Sequence, residues 1–293
     1  AIGVDTKKGM NAEVGDIDND GDLDIYVTNV TEEFLHECNM LWQNNGKATF
    51  TDVSQEQNVC DTGWAWGGKF FDYDNDGDLD LYVANGFFHG SGKGDYLDVL
   101  LPALWDSDES PADVRRWPPI EGRGIAGKER NVLFTNVEGR TFFRESNSGL
   151  EAPRDSRAIL LADFNNDGRV DVFITNQDDF TVLFRNDTSS RNHWIEIALD
   201  GKHPNTHAIG ARIYVTAGGK TQMREVNGGN GFGGGSMVRQ HFGLEGSSVI
   251  DTLSIRWPDG TEQKFKEVAA DRIVRVSQKS KKLVAAEYAK RSK

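Results

Sequence analysis

The chain has 293 residues, 37% of them hydrophobic, enough to bury a sizeable core as one large domain or two modest ones. Its formal net charge of −13 argues against nucleic acid as a partner, because so acidic a surface repels phosphate backbones. No apolar run approaches the roughly 18–20 residues of a membrane-spanning helix, and the regular apolar patterning excludes a disordered acidic tail.

The acids are concentrated in three nine-residue loops. Asp16-Ile-Asp18-Asn-Asp20-Gly-Asp22-Leu-Asp24 recurs as Asp72-Tyr-Asp74-Asn-Asp76-Gly-Asp78-Leu-Asp80. A third copy reads Asp163-Phe-Asn165-Asn-Asp167-Gly-Arg169-Val-Asp171. Carboxylates two residues apart repel one another unless a cation offsets them, and oxygen ligands at positions 1, 3 and 5 with glycine at 6 suit calcium. An EF-hand would put a bidentate Glu at position 12 between two helices. Position 12 is instead Val27, Val83 and Ile174, and the residues after each loop alternate as strands do. Position 9 (Asp24, Asp80, Asp171) is therefore the expected closing ligand. Position 7 offers its carbonyl, so Arg169 can stand where Asp22 and Asp78 stand. The plainer alternative is a set of polar turns without metal, since Asp, Asn and Gly favour turns anyway. The reading adopted is about three Ca2+ ions with a structural role, because all three loops look filled by protein ligands, whereas a catalytic metal keeps an open position.

A second repeated phrase alternates with the loops. Residues 39–50 match residues 131–142, and a truncated copy begins at Val182; each full copy reads as strand, Asn/Gly turn, strand. Strands apolar on both faces fit sheets stacked radially, as propeller blades are. Cys38 and Cys60 flank one hairpin and could close it as a disulfide in an oxidising compartment. Asn29 and Asn186 begin glycosylation sequons.

"VGDIDNDGDLDIYVTN" from Val14 and "FFDYDNDGDLDLYVANG" from Phe70 resemble FG-GAP/VCBS repeats, as do Gly63–Gly67 and Asp155–Arg157. The resemblance covers roughly residues 10–190 and implies calcium-bearing β-propeller blades. Only about three blades are accounted for, whereas closed propellers need about four to eight. The ring is therefore expected to be completed by a longer or processed protein or by an additional chain, and an uncovered blade edge would promote aggregation.

Residues 86–130 interrupt the repeats. Within them, 111–116 is expected to form a short helix, and the segment to act as a lid across one propeller face, with Trp105, Arg115, Arg116 and Trp117 as binding candidates.

Near residue 190 the charge reverses. Residues 1–190 hold 36 acids and 16 bases, and residues 191–293 hold 10 acids and 17 bases. This places a domain boundary there, with units 1–190, 191–277 and a basic tail 278–293 expected to be a solvated, frayed helix, the alternative being a docking arm to an acidic neighbour. "NHWIEIALDG", "AIGARIYVTAGG", "HFGL" and "IRWPDG" are strand segments that resemble the ASPIC/UnbV domain over about residues 192–277. That domain follows FG-GAP/VCBS repeats in the cartilage acidic protein-like family.

No Ser/His/Asp order, HExxH or Gly-x-Ser-x-Gly is present. His207 and His241 read as hydrogen-bonded structural residues, and the glycine run 227–235 as a mobile turn rather than a phosphate loop. The expected fold is all-β: a partial, calcium-binding β-propeller of about three blades followed by a β-rich ASPIC/UnbV domain. The expected function is a secreted, extracellular or periplasmic module for protein–protein binding or assembly. Two rivals stand beside it. A non-hydrolytic biosynthetic enzyme or enzyme subunit would need His and Arg converging on a deep pocket between the units. A carbohydrate- or matrix-binding module would use aromatic platforms at Trp105 and Trp117.

Overall fold

The computed structural model describes residues 7–47, 49–105, 113–229, 231–280 and 282–286. Of the expected short helix, Pro111–Ala112, and of the basic tail, 287–293, lie outside the described residues.

Three four-stranded sheets carry the repeats. In the first blade the antiparallel order is Asn11–Gly15, Asp24–Thr28, Met40–Asn44, Phe50–Asp52. The second blade repeats it with Ala65–Phe71, Asp80–Asn85, Val132–Val137 and Thr141–Arg144. The third supplies Ser156–Ala162, Asp171–Asn176 and Val182–Phe184, and its fourth strand is Gly235–Ser236, paired parallel to the first. The first strands of the blades lie side by side, so the sheets fan out from them. The fold is mostly β, an incomplete propeller joined to a second β unit.

Register explains how the blades stack. Val14↔Ile25↔Trp42, Phe70↔Leu81↔Phe134 and Leu161↔Val172↔Phe184 are equivalent rows, one per blade. Side chains alternate across a pleated strand, so each blade has two distinct faces. The row Phe70, Leu81 and Phe134 packs against Tyr26 and Leu41 of the first blade. Leu161 and Val172 pack in the same way against Tyr82 and Leu133 of the second. Burying side chains of this size contributes roughly 1.5–3 kcal/mol each, which is why strands apolar on both faces stack rather than face water.

The second unit is a pair of four-stranded sheets. One runs Gln240–Gly243, Trp194–Asp200, Arg272–Ser277, Leu283–Ala285; the other runs Lys220–Glu225, Arg212–Ala217, Val249–Arg256, Glu262–Ala269. Their inward residues, among them Ile195, Ile213, Leu253, Trp257 and Val274, form one core. The tail does not fray from Gln278: Leu283–Ala285 pairs with Val274–Val276 as a strand.

Two loops differ from expectation. The glycine run is a strap, not a free turn. Phe232 N donates to Asn11 Oδ1 and Met237 N to Leu161 O, and Gly235–Ser236 covers the inner edge of the third blade. A Cβ at Gly234 would lie 2.4 Å from Ile159 O, so only glycine allows this approach. In the insertion, the α-helix is Leu97–Trp105, N-terminal to the expected one. Asp95 starts it, accepting from Leu97 N at 2.8 Å, and residues 114–116 make only a 3-10 turn. The insertion leaves the second blade after Asn85, at the end remote from the acidic loops, where Phe87 stacks on Trp64 at 4.4 Å. Trp105 and Trp117 remain 78% and 41% exposed there. Cys38 and Cys60 form a disulfide.

Candidate functional site

Each acidic loop joins the first two strands of its blade, and the loops make equivalent turns. Gly21, Gly77 and Gly168 have φ of +90°, +88° and +88°, a backbone state that side chains other than glycine rarely adopt. Gly21, Gly77 and Gly168 each donate their N–H to the position-1 carboxylate, Asp16, Asp72 or Asp163.

The carboxylates converge in two of the three loops. Asp16, Asp18 and Asp24 place one oxygen each within 4.8 Å of one another, as do Asp72, Asp74 and Asp80, and either group could hold a metal ion. Asp16 and Asp24 are each pushed up to about 7, by burial in both cases, with the nearby loop carboxylates adding to it. Burial followed by neighbouring Asp72 raises Asp74 to about 6 and Asp76 to about 7, and lifts Asp80 well above the usual carboxylate range. Charges so penalised are relieved by a proton or by a cation.

The position-1 side chains supply the test of fit. Asp16 Oδ1 and Asp72 Oδ1 are buried oxygens with no hydrogen-bond partner. A buried carboxylate oxygen left unpaired is costly, and a hard cation would satisfy it. Position 9 is held from both sides. Asp24 Oδ2 accepts from Ile17 N and Oδ1 from Asn44 N; Asp80 and Asp171 repeat the pattern with Tyr73 and Asn136, and with Phe164 and Asn186. The remaining predicted residues lie elsewhere. Asp20 is exposed and accepts from Asp22 N. Asp78 is buried but pairs with Lys220 Nζ at 3.0 Å. In the third loop Arg169 pairs with Asp167, and Asn165 Nδ2 donates to the same carboxylate. Burial raises Asp163 and Asp171 above their usual range.

Position 4 was missed by the sequence reading. Asn19, Asn75 and Asn166 have φ of 57°, 64° and 58°, which turns their side chains towards the neighbouring blade. Asn19 Nδ2 donates to Gly77 O at 3.2 Å, and Asn75 Nδ2 to Gly168 O at 3.1 Å. Among the described residues Asn166 meets no fourth blade; its Oδ1 accepts from Arg239 of the second unit at 3.1 Å. A signal was present in the invariance of Asn at this position across the three loops.

The second unit sits on the second loop. Gly243 N donates to Asp72 Oδ2, Glu245 N to Asn75 O, and His241 Nε2 lies 2.7 Å from Asn75 Oδ1. Between it and the fan is a cavity of about 330 Å3, walled by the loop ends of all three blades and by Met223, Arg224, Arg239 and His241. His and Arg therefore do converge between the units. Arg239 is committed to Glu196, however, and His241 to Asn75, which gives both side chains structural work. The two sequons are also structural: Asn29 Nδ2 donates to Cys38 O, and Asn186 Nδ2 to Tyr73 O and Val170 O.

Comparison with known proteins agrees with this architecture. Residues 16–83 match the FG-GAP-like repeat family model and residues 201–283 match ASPIC and UnbV. The chain is homologous to cartilage acidic protein 1. It is 24% identical to the Xenopus tropicalis and Mus musculus proteins, over 86% of this chain and 42% of theirs. To the Homo sapiens protein it is 23% identical, over 86% of this chain and 41% of that one. The chain thus spans about two-fifths of the length of the curated relatives it matches.

Proposed function

We propose that this chain is an extracellular, calcium-stabilised binding or assembly module whose open blade face is covered by a further blade of the same type. That blade comes from adjoining sequence in a longer protein or from another chain. The observation that carries the reading is the inequality of three equivalent positions. Phe70 and Leu161 are 7% and 5% exposed under a preceding blade, whereas Val14 is 39% exposed. With Ile25 and Trp42, Val14 offers the row that in the other two blades receives a Tyr/Leu face.

Calcium has a supporting part. Asp16, Asp18 and Asp24 would hold one ion and Asp72, Asp74 and Asp80 a second, with position 7 giving its carbonyl; Asp163, Asn165, Asp167 and Asp171 would hold a third only once Asp167 is released from Arg169. The ions would neutralise the carboxylates and lock the blade-to-blade contacts that Asn19 and Asn75 make; no chemical step is assigned to them. The disulfide and the kinship with cartilage acidic protein favour an oxidising, extracellular setting, where millimolar calcium fills even weak sites. The roles of Arg239 and His241 in holding the units together favour binding over reaction at the cavity.

The test is native mass spectrometry and light scattering of the purified chain with calcium and with EGTA, alongside I25D. Calcium-dependent association that I25D abolishes is the expected result. A chain that stays monomeric at every concentration and keeps its thermal stability after chelation would refute both parts of the reading.

A further inference from the structure

The charged groups that line the cavity between the fan and the second unit can be followed one by one. Glu13 pairs with Lys69 at 3.0 Å, Glu225 with Arg212 at 2.8 Å, and Arg239 with Glu196. His241 is engaged by Asn75 and lies 3.7 Å from Glu196. Asp16 and Asp72 belong to the two loops assigned above to calcium. Arg224 is left. It is 9% exposed, and its guanidinium donates to Met223 O and to Gln222 Oε1 and lies over the Phe242 ring. Among the described residues no carboxylate oxygen comes within 4.0 Å of it. Its strongest charge attractions are to Asp72 and Asp16, the same groups that calcium would claim.

A guanidinium has five N–H donors in a planar fork, and a buried one calls for anionic acceptors. The rest of the wall is largely apolar, with Phe70, Phe71, Leu161, Met223 and Met237. A volume of about 330 Å3 lies at the lower end of ligand pockets, roughly 300–1,000 Å3. Exposed Asn227, Gly229 and Ser236 belong to the same wall and give it a mouth.

We propose that this cavity binds a small amphipathic carboxylate, its acid group on Arg224 and its apolar body among Phe70, Phe71, Leu161, Met223 and Met237. The inference rests on the calcium reading, because loading the loops is what withdraws Asp16 and Asp72 from Arg224. Calcium and carboxylate binding are therefore positively coupled.

The test uses the full chain and three probes of similar body: octanoate, octanol and octylamine. Calcium is titrated first by calorimetry. Absence of calcium binding would sink the calcium reading, whereas calcium binding without octanoate binding would sink only the present inference. With calcium loaded, octanoate is expected to bind one to one, and octylamine not at all. EGTA should weaken octanoate binding. R224M should weaken it about tenfold or more, as expected for loss of a charge-assisted hydrogen bond. M237W keeps the guanidinium but fills the cavity, and should abolish binding even if R224M folds poorly. Equal binding of octylamine, or full octanoate affinity in either folded variant, would overturn the proposal.

Discussion

Asn44, Asn136 and Asn186 occupy one position of the repeated hairpin, and comparing them isolates the energy that joins blades. Asn136 is fully buried. Its Nδ2 donates to Leu79 O at 3.0 Å within its own blade and to Ile17 O of the first blade at 2.9 Å. The partly exposed Asn44 side chain donates to Leu23 O and accepts from Gly46 N, both in its own blade. Alanine keeps the backbone N–H that binds Asp80, so Asn136→Ala deletes the two side-chain bonds alone. Each deleted bond leaves a buried carbonyl unpaired, at a cost of roughly 1–3 kcal/mol for a buried acceptor. The expected loss is about 2–6 kcal/mol for Asn136→Ala and about 1 kcal/mol or less for Asn44→Ala. Equilibrium guanidinium unfolding of the calcium-saturated chain, followed by tryptophan fluorescence, measures both, with unchanged slopes confirming that the denatured states match. Equal losses in the two variants would refute the idea that this asparagine ties one blade to the previous loop.

Three further outcomes are expected. The raised loop carboxylates keep protons in the folded, metal-free chain that the unfolded chain releases nearer pH 4, so metal-free stability falls as pH rises from about 4 to about 7. Thermal melts in EGTA at stepped pH should show this fall and calcium should reverse it; a flat profile would contradict the burial of these groups. Calorimetry should find one calcium fewer in Asp18→Ala and in Asp74→Ala but no loss in Asp22→Ala, whose side chain stands outside the converging carboxylates; an equal loss in Asp22→Ala would show that position 7 ligates through its carboxylate. Lys69→Met should cost roughly 3–5 kcal/mol by stranding buried Glu13, and Lys69→Met with Glu13→Leu should recover part of it in the same unfolding assay; no recovery would locate the loss in packing rather than charge.

What the sequence revealed follows from distance along the chain. Positions 1, 3 and 9 converge within nine residues in the first two loops, so spacing exposed that much, while Asp20 and Asp76 at position 5, also expected to ligate, stand outside the converging groups; strand alternation exposed the blades. The position-4 asparagines act on residues 58 and 93 positions away, a relation that only the stacking of blades creates. The third loop carries the same ligand positions, yet Asn165 and Arg169 turn towards Asp167, an arrangement that identity and spacing do not encode. Helix Leu97–Trp105 was hidden by Pro102, which argues against a helix interior. The glycine strap looked featureless because its partners, Asn11 and Leu161, lie in two different blades.

The reversal of charge near residue 190 now has a structural meaning. The basic part does not merely follow the acidic one; it docks on the face where the acids are gathered. Lys220 reaches Asp78, Arg239 reaches Asn166 and the carbonyl of Asp163, and Gly243 caps Asp72. Each contact falls on a loop that the proposed cation would also occupy, so protein cations and metal ions would share the task of neutralising one surface. Two consequences oppose one another. Without metal, Arg224 and Lys220 are drawn to the loops more strongly; with metal, the loops hold their shape but release part of that attraction. The bond from Glu245 N to the carbonyl of Asn75 is indifferent to this exchange, because it depends on loop shape rather than on net charge, whereas the bond from Gly243 N to Asp72 Oδ2 strengthens with the charge on that carboxylate. The first is what would let the second unit stay seated while the charge beneath it changes, and the cavity beside Arg224 is where that change would be felt.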